Sequence, residues 1–325
     1  MREITYAQAI NEALYEEMER DPRVITLGED IGAIGGNFGV TKGLQTKFGE
    51  ERVRDTPISE DAIVGLALGA ALVGFKPVAE IMFATFLGCC MEQLLNQVPA
   101  IRYMSGGQVN VPLVLRTANS LGRSGAAQHS GRLEAIFMHT PGYKVATPST
   151  PYDAKGLLKT AIRGNDPVIF FEHAMAYYGV KGPVPEEDYT IPFGKAEIRR
   201  EGADITIVTY SYMVQAALRA AEALAVRQVE AEVVDLRTLV PLDIDAVVDS
   251  VRKTHRLVIA SEECGTAGVC AEIGFSVLER AFDFLDAPIK RVTAANVPAP
   301  FSPPLERRIM PTAEAIVDAA SSLME

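Results

Sequence analysis

The sequence predicts an α/β protein made of two doubly wound domains, each with a mostly parallel sheet. Apolar runs of strand length alternate with helical patterns in both halves of the chain. This alternation stops once, between residues 179 and 194, where three prolines and an acidic pair replace the periodic segments. A length of 325 residues also suits two domains that can each bury a core.

The first predicted domain covers residues 1–178 and begins with an amphipathic helix, Tyr6–Glu19, which Asp21 and Pro22 end. The apolar run Ala62–Phe75 predicts a second, buried helix. Further helices are predicted at Met91–Met104, Leu133–Met138 and Pro151–Arg163, and apolar strands at Val24–Leu27, Val78–Met82, Val111–Arg116, Lys144–Ala146 and Pro167–Glu172.

The second predicted domain, residues 195–325, repeats the same alternation and ends in a helix after a run of prolines. Strands alternating with helices at this spacing indicate a parallel sheet that is covered on both faces. The predicted strands are Asp204–Tyr210, Ala231–Asp235, Arg256–Ser261 and Ile289–Val292, and the predicted helices are Tyr212–Arg227, Ile244–Thr254 and Thr266–Phe284.

Charge and composition exclude several classes of partner. The net charge of -11 argues against nucleic acid and against an anionic membrane surface, because both require clustered basic residues. The N-terminus lacks the apolar core of a signal peptide, and the run Ala62–Phe75 is shorter than the roughly 20 residues that span a bilayer. We therefore expect a cytoplasmic protein. The four cysteines show no C-x-x-C spacing and are expected to be small buried hydrophobes in a reducing compartment.

A carboxylate stands where the apolar run begins, in the segment Arg54–Glu60. Burying an ionised carboxylate is costly unless another group pairs with it. Glu60 is therefore either an exposed helix-start residue, favoured by the helix dipole, or a group kept protonatable for chemistry. These residues alone favour the helix-start reading.

Four histidines are present, and none shows metal-ligand spacing. His129 follows the polar loop Thr117–Ala127, which leaves an apolar strand. A lone histidine in such a place is more often an ordinary hydrogen-bonded residue than a catalytic one. The other three, His139, His173 and His255, are expected to be structural.

Five segments in order carry a family resemblance, namely Leu27–Asp30, Asp55–Glu60, Arg102–Gly107, Ala127–Ser130 and Asp235–Thr238. On these segments the chain resembles, from end to end, the β subunit of the thiamine-diphosphate-dependent decarboxylating component of 2-oxo acid dehydrogenase complexes. The resemblance implies a transketolase-type pyrimidine-binding domain followed by a transketolase C-terminal domain.

The resemblance also implies roles for individual residues. Glu60 would be the carboxylate that hydrogen-bonds the aminopyrimidine ring of thiamine diphosphate, which reverses the helix-start preference. His129 would be the active-site histidine that assists acyl transfer to a lipoyl group. Met82 and Phe86, which without the resemblance would be read as core residues, would line the aminopyrimidine pocket.

Two further implications concern ions. The family's Gly-Asp-Gly motif for diphosphate and magnesium is absent from this chain, so an α subunit would supply those ligands in an α2β2 assembly. A structural potassium ion would be held by main-chain carbonyls of Leu113, Ala161, Ile162, Gly164 and Asp166. A helix C-terminus closed by Gly164 explains that loop equally well without an ion.

The substrate implied first is pyruvate, with acetyl transfer to the lipoyl group. Acetoin and branched-chain 2-oxo acids remain open, because Leu87–Cys90 and Pro148–Asp153 are similar to the acetoin-cleaving relatives. The C-terminal domain would dock on the lipoyl acyltransferase core. An alternative to an enzymatic role is that the chain is a non-catalytic scaffold. Transketolase or deoxyxylulose-phosphate synthase is disfavoured because this chain lacks their N-terminal half.

Overall fold

The computed structural model describes residues 1–325 and contains fourteen strands, which form three sheets. In chain order they are β1 (Arg2–Thr5), β2 (Val24–Gly28), β3 (Val53–Asp55), β4 (Lys76–Phe83), β5 (Val114–Asn119), β6 (Lys144–Ala146), β7 (Val168–His173), β8 (Lys181–Val184), β9 (Glu197–Arg200), β10 (Ile205–Thr209), β11 (Ala231–Asp235), β12 (Thr238–Val240), β13 (Leu257–Cys264) and β14 (Lys290–Ala294).

Twelve α-helices connect or cover these strands. They are α1 (Tyr6–Arg20), α2 (Leu44–Phe48), α3 (Glu60–Leu72), α4 (Ile101–Met104), α5 (Glu134–His139), α6 (Pro151–Arg163), α7 (Ala176–Gly179), α8 (Met213–Ala225), α9 (Ile244–Thr254), α10 (Val269–Ala281), α11 (Pro303–Ile309) and α12 (Ala313–Ser321). No helix is both long and apolar enough to cross a membrane.

The predicted α/β class with two mostly parallel sheets is confirmed. The larger sheet has seven strands in the order β12-β6-β7-β5-β4-β2-β3, and only β12 is antiparallel to its neighbour. The smaller sheet has five strands in the order β14-β13-β10-β11-β9, with β9 antiparallel at its edge. One apolar core of 36 buried residues runs from the α3 side of the large sheet to α9 and α10, so the two halves of the chain share a core.

Strand pairings also cross the predicted boundaries between the two domains and the linker. Strand β12 lies in the second half of the sequence but pairs with β6 of the first sheet. Strand β8 lies within residues 179–194 and pairs with β1 at the N-terminus. These short pairings carry little periodicity, so sequence patterns do not detect them.

Two predicted elements differ because of proline. The predicted helix Met91–Met104 is broken into a π-helical turn, Gln93–Gln97, and the short α4, since Pro99 lacks the N–H that a continuous helix requires. The predicted strand Val111–Arg116 begins only at Val114, beyond Pro112, and continues to Asn119.

Helix α3 is only half buried, contrary to the predicted buried helix. Its inner face, which includes Ile63 and Val64, packs in the shared core. On the other side Leu66, Leu72 and Val73 are exposed, and a Cβ added at Gly69 would meet nothing within 4 Å. This apolar face has no partner within the chain. Cys89 is likewise exposed rather than buried, and all four cysteines are free thiols.

Candidate active site

The predicted residues of the cofactor site, together with Glu29, lie at the carboxyl ends of neighbouring parallel strands. Glu29 follows β2, Glu60 follows β3, and Met82 lies near the end of β4. Since β3, β2, β4 and β5 are consecutive in the sheet, the loop after β5 that carries His129 leaves the same edge. Open α/β sheets bind ligands at this edge, outside the carboxyl ends of the strands.

Glu60 is the first residue of α3 and is half-buried, so the helix-start position and a place in the site coincide. Burial raises the pKa of Glu29, and the negative charges of Glu60 and Asp30 raise it further. No basic side chain offsets this rise in the pKa of Glu29. Glu29 and Glu60 thus lie close enough for their charges to interact, which suits a ligand that brings a hydrogen-bond donor or a proton.

The backbone around this pair is closely packed. A Cβ at Gly28 would lie 2.8 Å from the carbonyl oxygen of Glu80 on β4, so only glycine permits this approach. The Thr56 N–H donates to the Gly28 carbonyl at 3.0 Å, which joins the ends of β2 and β3. The hydroxyl oxygen of Thr56 is buried and has no hydrogen-bond partner. An unpaired polar atom beside the acidic pair fits a site that completes its hydrogen bonds with a ligand.

His129 lies in an aromatic setting. Its ring centroid is 4.7 Å from that of Phe83 and 5.3 Å from that of Phe86, both in edge-to-face geometry. The Ser120 hydroxyl donates to the His129 carbonyl, and the Thr85 hydroxyl donates to the neighbouring carbonyl of Gln128. The structure therefore brings His129 together with Phe86, and two side-chain hydroxyls hold its backbone.

A buried charge network lies beneath this edge of the sheet. Arg116 on β5 donates to Glu172 at 2.6 and 2.8 Å and to Glu80 at 2.7 Å. Burial alone would lower the pKa of Arg116, but the two carboxylates raise it above its ordinary value. The Tyr177 hydroxyl also donates to Glu172, and the Tyr177 ring stacks on Phe38 of the loop after β2. Removing one partner from a buried pair costs about 3–5 kcal/mol, so this network fixes the strands that carry the site.

The residues of the predicted potassium site lie together, but at the opposite edge of the sheet. Leu113 precedes β5 and Asp166 precedes β7, and the Leu113 carbonyl accepts from the Val168 N–H at 2.9 Å. The Lys76 ammonium donates to the carbonyls of Ile162 and Arg163, each at 3.1 Å. A carbonyl oxygen has two lone pairs, so an ion would share these acceptors with donors that are already present.

A cavity of 480 Å³ beside the His129 loop is lined by residues of both halves of the chain. Arg132, Glu262 and Glu263 lie along it, and none of Glu60, Met82 or Phe86 does. We therefore do not assign this cavity as the cofactor site.

Three residues of the site carry no assignment from the sequence. Glu29 was detectable, because it directly follows an apolar strand at the edge where ligands bind. Phe83 stands between the two predicted pocket residues and contacts His129 more closely than Phe86 does. Glu306, which holds the His129 loop, had no sequence signal because its partner residues lie more than 180 positions away.

Comparisons with known proteins agree along the whole chain. The family described as "Transketolase, pyrimidine binding domain" matches residues 2–179, and "Transketolase, C-terminal domain" matches residues 194–316. Among solved structures, a split-gene transketolase described as an inactive β4 tetramer superposes with a TM-score of 0.80 at 25% identity, covering 99% of this chain and 98% of that one.

Curated relatives include proteins that act on three substrates. The β subunit of an acetoin:2,6-dichlorophenolindophenol oxidoreductase from Cupriavidus necator is 50% identical, with 100% of this chain and 98% of the relative covered. The 2-oxoisovalerate dehydrogenase β subunit of Bacillus subtilis is 45% identical over 100% of both chains. The pyruvate dehydrogenase E1 β subunit of Staphylococcus epidermidis is 45% identical, again over 100% of both.

Proposed function

Since this chain belongs to the family of transketolase-type β subunits that includes those of pyruvate, acetoin and 2-oxoisovalerate dehydrogenases, we propose that it supplies the pyrimidine half of a thiamine-diphosphate site. Its assembly would decarboxylate pyruvate and transfer the acetyl group to a lipoyl acceptor. The observation that carries this proposal is the position of Glu60, half-buried at the start of α3 and at the carboxyl edge of the large sheet, near the unpaired buried hydroxyl of Thr56.

Each site residue then has a definite task. Thiamine diphosphate, when bound, supplies a carbanion sink for decarboxylation. Glu60 would share a proton with a nitrogen of the aminopyrimidine ring, and burial raises the pKa of the neighbouring Glu29. Met82 and Phe86, both half-buried beside the site, line the aminopyrimidine pocket. The aromatic rings around His129 shield it from water while its imidazole donates a proton during acyl transfer.

An α subunit completes the site in this proposal. No group of three or more His, Cys, Asp or Glu side chains in this chain is arranged to hold a metal ion. The ligands for magnesium and the diphosphate are assigned to the α subunit. The exposed apolar face of α3, with Leu66, Gly69 and Val73, begins directly after Glu60 and is suited to burial in an α2β2 assembly.

Acetoin is the second candidate substrate, favoured by the 50% identity to the Cupriavidus necator protein. Pyruvate and acetoin both deliver a two-carbon acyl group. A purely structural scaffold gives no reason to bring the carboxylates of Glu29 and Glu60 near each other at this edge.

The experiment that tests the proposal reconstitutes this chain with an α subunit that carries the Gly-Asp-Gly motif. Dye-linked turnover is then measured with pyruvate, acetoin and 2-oxoisovalerate, with and without thiamine diphosphate. We expect cofactor-dependent turnover, highest with a two-carbon acyl donor, and none from this chain alone. Turnover by this chain alone, or the same low rate with every substrate, would contradict the proposal.

A further inference from the structure

The loop that carries His129 is held in an unfavourable backbone conformation. Gly122, Ser124 and Ala126 have positive φ angles of 95°, 57° and 58°. The left-handed region costs a residue with a side chain about 1–2 kcal/mol. Such conformations persist only where surrounding contacts determine them.

The contacts that do so come from the other half of the chain. Glu306 on α11 is 2% exposed, and its two carboxylate oxygens accept three hydrogen bonds from this loop. One oxygen accepts from the Gly122 N–H at 2.9 Å. The other accepts from the Ser124 N–H at 2.8 Å and from the Ser124 hydroxyl at 3.2 Å. Hydrogen bonds to an ionised acceptor are about twice as strong as neutral ones, so this is a firm attachment.

Helix α11 is itself fixed to the second sheet. The Ile309 carbonyl at its end accepts from the Ala295 N–H, one residue beyond β14, at 2.9 Å. The Met310 side chain that follows lies against Gly122, where an added Cβ would come within 3.1 Å of it. The Glu306 carboxylate is therefore carried by a helix that is itself attached to the second sheet.

From Ser124 the loop leads directly to the histidine. The His129 N–H donates to the Ala126 carbonyl at 3.3 Å, and the Ser120 hydroxyl donates to the His129 carbonyl. This short turn sets the ring against Phe83. We propose that Glu306 is a positioning residue of the active site, through which the C-terminal domain orients His129. The proposal rests on the function proposed above for His129.

The test uses the chain assembled with its α subunit and compares Glu306→Gln with Glu306→Ala. The amide keeps the volume of the carboxylate but can accept from only one of the two N–H groups. Glu222→Gln, at an exposed position of α8, is the matched control. The probe is diethyl pyrocarbonate, with the carbethoxylation rate of His129 measured by peptide mass spectrometry. His139 and His255 serve as internal references, and hydrogen exchange of residues 120–130 is followed in parallel.

We expect His129 to react about tenfold faster in both Glu306 variants, with His139 and His255 unchanged and amide protection lost over residues 120–130. The kcat of lipoyl transfer should fall by about the same factor, while the KM for the 2-oxo acid changes little. Unchanged His129 reactivity and loop protection would overturn the proposal. Equal loosening of all histidines would also overturn it, because Glu306 would then hold the fold in general. A loosened loop with undiminished transfer would support the positioning of His129 and refute its proposed role in transfer.

Discussion

The imidazole of His129 lies edge-on to the ring of Phe83, with 4.7 Å between the two centroids. Phe83 ends strand β4, whereas His129 stands ten residues beyond the end of β5. The contact therefore links two neighbouring strands of the large sheet through their loops. It places a titratable ring in apolar surroundings, at the edge where the other site residues meet.

We predict that His129→Ala slows lipoyl transfer about a hundredfold and dye-linked decarboxylation much less, because a positioned acid is needed when the dithiolane opens. The measurement compares the two rates in the same assembled variant. His139→Ala, on the exposed end of α5, is the control and should leave both rates unchanged. Equal losses in both assays would assign His129 to the first chemical step.

We predict that stability depends on Glu263, which accepts the N–H groups of Ala135 and Val269 at 2.9 and 2.8 Å. Burial and the charge of Glu134 raise the pKa of Glu263 from 4.5 to about 7. The folded state then binds this proton more tightly than the unfolded state, so its contribution to stability falls as the pH rises from about 4.5 to 7.

Glu263→Gln should therefore show a smaller fall in Tm than the wild type across that pH window. Exposed Glu272→Gln, on the following helix α10, is the control and should follow the wild type. Parallel Tm curves for Glu263→Gln and the wild type would show that Glu263 does not hold the proton.

We predict that the C-terminal domain docks on the acyltransferase core through an acidic surface. Asp283 and Asp286 are exposed and stand beside the exposed rings of Phe282 and Phe284. Reversing both charges, in D283K/D286K, should weaken binding of a basic core-binding module, and the wild-type affinity should fall as salt rises. Truncating the C-terminus is a poorer test, because the Leu323 carbonyl accepts from Arg256 at 2.8 Å and supports the fold.

The control for this charge reversal is E222K/D318K, which makes the same change of charge at exposed positions of α8 and α12. Affinity is measured by calorimetry with the isolated core-binding module, and dye-linked turnover reports intact folding. If both double variants bind as the wild type does, the docking surface lies elsewhere.

We predict that potassium binds the carbonyl cluster around Ile162 and so raises the Tm of the protein. The comparison is with choline at equal ionic strength, and the reason is that a ligand that binds only the folded state stabilises it. Lys76→Met removes the ammonium that now donates to Ile162 and Arg163, so it should enlarge the potassium-dependent rise. Melting curves in the two salts measure the effect. Identical Tm values in both salts would argue for a helix terminus without an ion.

Much of the fold follows from the sequence because long apolar patterns are strong signals. Helices α6 and α9 have the predicted bounds, since each has a polar N-cap and a clear apolar face. Strands β1, β8 and β12 were not predicted, because they have only three or four residues and are defined by distant partners. One face of α3 is exposed in the single chain, because an apolar run predicts burial without saying whether the same chain or a partner covers it.

The candidate site was likewise predictable from the sequence only in part. The strand end that carries Glu29 is a local feature, whereas the short strand β3 before Glu60 was not predicted, and the approach of the two residues follows from the strand order of the sheet. The contacts of His129 with Phe83, and of its loop with Glu306, join positions far apart in sequence. No pattern within a single segment encodes such contacts.

The central claim is that Glu60 activates thiamine diphosphate, and Glu60→Gln in the assembled protein tests it most directly. The measurement is hydrogen–deuterium exchange at the thiazolium carbon of the bound cofactor, with cofactor affinity determined in parallel. We predict exchange slowed by about 10²–10⁴ with the assembly intact, the range expected for loss of a positioned acid–base group. Exchange within about tenfold of the wild type would contradict the account and leave Glu60 as a helix-start residue.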